Sequence, residues 1–64
     1  MSKVRDKFQR IYRNQSKESR LALLLDYEAI ASDPKDRMGI HLRKEGWSQS
    51  DIEEMVSLIR ESLR

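Results

Sequence analysis

Apolar residues recur along this chain at helical spacing, and nowhere do they alternate as a strand would. Val4, Phe8, Ile11 and Tyr12 fall at i, i+4, i+7 and i+8, which predicts a helix over Lys3–Arg13 with an apolar stripe about 100° wide. The next eight positions, from Arg13 to Arg20, carry no apolar residue. A break is expected near Asn14–Ser16, because Asn closes helices and Ser caps them.

A second helix is expected over Lys17–Ala31, and its pattern is unusual. The apolar positions sweep from Ile30 and Leu23 through Tyr27, Ala31 and Leu24 to Leu21 and Leu25. On a helical wheel that arc is roughly 220°, about twice what one buried face needs. Such a helix is either the central one or meets another chain. Glu28 falls inside the arc, where an unpaired carboxylate is costly. It must reach the solvent boundary or pair with a cation, for which Arg37, His41 and Arg43 are the candidates within the chain.

Asp33-Pro34-Lys35-Asp36 reads as a helix start, with Asp33 as cap, Pro34 at the first helical position and Asp36 returning a hydrogen bond. This third helix runs to about Glu45 and stops at Gly46. Met38 and Leu42 share one face of it, and Ile40 points away. The last helix begins after Ser48 with Asp51 three residues on. Trp47 and Ile52 stand at the separation of a hydrophobic staple. Its stripe of Ile52, Met55, Val56, Ile59 and Leu63 is narrow and single-sided, with Leu58 at the margin.

The expected architecture is all-α: a small bundle of three to four short helices in one domain spanning residues 1–64, with the second helix central. Within it, residues 1–15 form a basic amphipathic helix and residues 17–63 a helical core with a corner at Gly46-Trp47. A domain of this size buries only about 60% of the surface of its unfolded chain, so small domains lean on disulfides, a metal, tight packing or a partner. Cysteine is absent and His41 is the lone histidine, which leaves no disulfide and no zinc cluster. Packing and partners remain, and completion by dimerisation is expected. The surplus apolar residues Leu23, Tyr27, Ile30, Ile40 and Leu58 are the candidate self-association or partner face.

Charge adds a second feature. The net charge is +2, but residues 1–20 hold seven Lys or Arg against Asp6 and Glu18. Lys3, Lys7, Arg10 and Arg13 form the candidate basic face of the first helix, suited to an acidic protein patch or to nucleic acid. No apolar run is long enough to span a membrane or act as a leader, so a cytoplasmic location without membrane contact is expected.

Catalysis is not expected. No nucleophile–base–orienter set can be drawn, Glu53 and Glu54 point to different sides of one helix, and Gly39 and Gly46 stand alone instead of forming a phosphate loop. No cofactor is implied. The helix-turn-helix reading of Leu42–Val56 fares little better. Its second helix would push Asp51, Glu53 and Glu54 at DNA phosphates, and Glu45 stands where an apolar residue belongs. The stretch Leu42-Arg43-Lys44-Glu45-Gly46-Trp47-Ser48, with Ile52-Glu53 and Met55-Val56, resembles a unit of the RecX recombination regulators and the helix–Gly–aromatic–helix corner of ubiquitin-associated-like domains. The likeness covers about fifteen residues, a corner any helical bundle can use, and it brings no site residue with it.

Two functions follow as expectations. The first is a small non-enzymatic protein–protein interaction module, a homodimeric regulator or inhibitor that occupies a surface of a larger macromolecule. The alternative is a small nucleic-acid-binding protein acting through the basic first helix.

Overall fold

A computed structural model describes residues 2–64, and among them the secondary structure is entirely helical. Helix α1, Lys3–Lys7, runs without interruption into a π-helical turn at Phe8–Tyr12. Helices α2, Lys17–Ser32, α3, Arg37–Lys44, and α4, Gln49–Ser62, follow. None of these helices is long and apolar enough to cross a membrane.

Each start is set by a side-chain oxygen that accepts from an otherwise unpaired amide. Ser2 accepts from the amides of Val4 and Arg5, and its own hydroxyl reaches Glu54 on α4 at 3.2 Å. Ser16 accepts from Ser19, so residues 3–31 form two helices with the expected break. Ser48 and Asp51 exchange both bonds of a capping box.

The start of α3 differs from expectation. Asp33-Pro34-Lys35-Asp36 forms a turn, closed by the Asp36 amide on the Asp33 carbonyl and by the Lys35 amide on the Asp33 carboxylate. Asp at the first and Pro at the second position suit such a turn. The cap is Asp36, which accepts from Met38 and Gly39. At the other end the Trp47 amide donates to Leu42 and the Gly46 amide to Arg43, with Gly46 at φ +99°. This is a Schellman closure, and its positive φ calls for glycine.

The π turn re-aims the first helix. The Arg13 amide bonds to the Phe8 carbonyl, five residues back. The wider turn keeps Val4, Phe8 and Tyr12, spaced by four, along one buried line and leaves Ile11 exposed. Ile11, expected in the stripe, is therefore not core.

The central helix is α4, not α2. It packs against α2, α1 and the π turn, and it buries Ile52, Met55, Val56 and Ile59. The narrow stripe of α4 is buried almost throughout, whereas the broad arc of α2 is covered on one side alone. Only one side of α2, Leu24, Tyr27 and Ile30, enters the core, with Leu23 and Ala31 packed at its edge. Helix α3 reaches α4 by a 2.7 Å hydrogen bond from Arg43 to Gln49 and packs mainly on α2, through the buried Gly39. A Cβ there would lie 3.1 Å from Ile30 Cγ2, so glycine permits the close approach. Leu42 is buried while Met38, one turn earlier, projects into solvent.

Candidate functional site

The expected partner face divides. Tyr27 and Ile30 are only 4% and 2% exposed, and both belong to the core of this single chain. Tyr27 donates or accepts a 3.0 Å hydrogen bond with the Tyr12 hydroxyl, and its ring lies against those of Tyr12 and Trp47. Burial, and then the Tyr12 hydroxyl, push the Tyr27 phenol well above its ordinary pKa. Leu23 and Leu58 are half-buried against the core, and of the five expected residues only Ile40 is exposed.

The uncovered apolar surface lies on the other side of α2. Leu21 is 51% and Leu25 62% exposed, one helical turn apart, with exposed Ala22 and Ala29 beside them. Met38 reaches the same flank, where it lines a shallow depression with Ala29, Asp26 and Ile30. The wide arc of α2 thus holds two faces, one inward and one outward. Between them Glu28 pairs with Arg60 of α4 at 2.6 Å, and not with Arg37, His41 or Arg43. His41 pairs with Glu45 at 3.1 Å on the surface.

The expected basic face divides as well. Lys3 donates to the Gly46 carbonyl at 2.6 Å and sits 3.6 Å from Asp51. The Lys7 ammonium lies 5.1 Å from the centre of the Trp47 ring, a cation–π contact. Both lysines clamp the α3–α4 corner and are not free for a polyanion. Arg10 and Arg13 remain exposed. Arg13 faces a cleft of about 420 Å³ that it shares with Arg5, Gln9 and Arg20, floored by Phe8 and Leu58.

Arg5 and Arg20 lie outside the basic face expected from the sequence. The signal that could have found the cleft is the four-residue repeat Arg5, Gln9, Arg13, which runs parallel to Val4, Phe8, Tyr12. Lys3 and Lys7 run along the opposite flank of the same line. No protein-family model, curated protein or solved structure matches this chain.

Proposed function

We propose that this chain is a small non-enzymatic protein–protein interaction module, a homodimer that acts as a regulator or inhibitor by occupying a surface of a larger macromolecule. The observation that carries the reading is the exposed row Leu21–Leu25 with its flanking alanines. A large apolar row left open on a small domain marks a contact surface.

Charge favours a second copy on that row. Helix α2 begins with Lys17 and Glu18 and is followed by Asp33, and its last turn holds no basic residue. Lys17 and Asp33 oppose the helix dipole within one chain, against Glu18, which favours it. Two α2 helices packed antiparallel, with their crossing at Leu25, set Leu21 against Ala29 and Lys17 against Asp33 of the second copy. Such an isologous pair relieves both ends at once. Ile40 then remains for the larger partner.

Sedimentation equilibrium at tens to hundreds of micromolar tests the dimer. The expected result is a dimer that Leu25→Glu converts to a folded monomer. A wild-type chain that stays monomeric throughout refutes it. The nucleic-acid alternative keeps Arg10 and Arg13 but loses Lys3 and Lys7 to contacts within the chain. Duplex binding that falls steeply with salt and disappears in Arg10→Glu with Arg13→Glu would favour that alternative.

A further inference from the structure

The cleft between α1, the π turn, the start of α2 and the end of α4 is lined by three arginines and no carboxylate. Among the described residues, Arg5, Arg13 and Arg20 form no ion pair, while Lys3, Arg60 and Arg64 each do. Like charges brought together repel, and an anion seated between them relieves the repulsion. Arg20 is already held in place. Its Nη1 donates to the Ser62 carbonyl at 2.8 Å, and its Nε is enclosed without an acceptor.

We propose that this cleft binds a phosphate monoester dianion, held by the guanidinium groups of Arg5, Arg13 and Arg20. Guanidinium presents a planar fork that matches phosphate oxygens and is weakly hydrated. A phosphate monoester offers three acceptor oxygens and close to two charges, one oxygen for each arginine. The volume of about 420 Å³ exceeds what the phosphate alone fills. The apolar floor of Phe8 and Leu58 accommodates the organic group that carries it, whether a phosphorylated side chain or a small organic phosphate.

A nucleic-acid backbone suits the cleft less well. Asp6 lines the adjoining depression next to Arg5 and Gln9 and places a carboxylate where a neighbouring phosphate would run. All four aromatic residues, Phe8, Tyr12, Tyr27 and Trp47, are buried, and the sliver of Phe8 at the cleft floor is too small a platform for a row of stacked bases.

Titration of the full ¹⁵N-labelled chain tests the site, with the arginine Nε–H resonances as the readout. The probes are a short phosphoserine peptide, its unphosphorylated twin, its glutamate twin, glycerol phosphate and a single-stranded oligonucleotide. The phosphoserine peptide should shift the Arg5, Arg13 and Arg20 resonances and bind at least about tenfold more tightly than either twin. Shifts with glycerol phosphate of equal affinity would assign the site to small organic phosphates, and weaker binding would assign it to phosphorylated proteins. Arg5→Gln with Arg13→Gln, both away from the core, should abolish the shifts at unchanged helical signal. Arginine resonances that do not move, a glutamate twin that binds equally, or an oligonucleotide that binds more tightly than the peptide each overturn the proposal.

Discussion

The phenol oxygens of Tyr12 and Tyr27 lie 3.0 Å apart inside the core, with the rings meeting edge to face at a centroid distance of 6.0 Å. This bond joins the π turn to α2, two segments with little other contact. It places a polar pair among apolar neighbours, where each hydroxyl satisfies the other.

Removing one partner should therefore cost more than removing both. Tyr27→Phe strands the Tyr12 hydroxyl and should destabilise the fold by about 1 kcal/mol, while Tyr12→Phe with Tyr27→Phe should recover most of that loss. Urea unfolding of these two variants and of Tyr12→Phe alone completes the cycle. Equal losses that simply add would show that the hydroxyls do not interact.

The same pair sets a limit at high pH. The Tyr27 pKa is raised in the folded state, so its contribution is fully present below the ordinary tyrosine value of about 10. It is lost as pH climbs from there toward the raised folded value. Wild-type unfolding temperature should drop above about pH 10, and more steeply than in the Tyr12→Phe, Tyr27→Phe variant. Parallel curves would contradict the coupling.

Asp51 sets the corresponding limit in acid. Its carboxylate accepts from the Ser48 amide at 2.8 Å, and that bond, with help from the Ser48 hydroxyl and Lys3, holds its pKa below the usual aspartate value. A depressed folded pKa gives stability that is present above about pH 4 and is lost as pH falls through the folded value. Asp51→Asn should flatten the acid limb of the melting-temperature profile below pH 4. An unchanged limb would move the acid sensitivity to other carboxylates.

Much of the fold was legible because its signals are local. Ser16, Ser48 and Gly46 act within three or four residues of themselves, and their caps and closure follow from side-chain chemistry alone. Asp33 and Asp36 carry the same capping chemistry three residues apart, and local chemistry does not choose between them. The α3 start at Asp36 accompanies the packing of Gly39 on Ile30, a contact between distant residues. The site was less legible, since the π turn breaks the 3.6-residue period on which the basic face was drawn. Lys3 and Lys7 lie on the corner flank of α1 and Arg5 on the cleft flank, and Arg13, just past the π turn, joins Arg5. For α2, the wide arc suggested a central helix, which it is not, and the wheel does not tell which side α4 covers. Tyr27 and Ile30 went inward, and Leu21 and Leu25 were left outside.

Gly46 offers a test of the corner itself. At φ +99° an L side chain is strained, so Gly46→Ala should cost about 1–3 kcal/mol without altering the core. A loss near zero in thermal unfolding would mean that the Leu42–Trp47 closure can re-form with another backbone.

Dimer formation rests on what covers Leu21 and Leu25. Isotope-filtered nuclear Overhauser spectra of a mixture of labelled and unlabelled chains address this most directly. The antiparallel pair predicts cross-peaks between chains from the Leu25 methyls to Leu25 of the second copy, and from Leu21 to Ala29. An empty filtered spectrum at millimolar concentration, or cross-peaks confined to Met38 and Ile40, would contradict it.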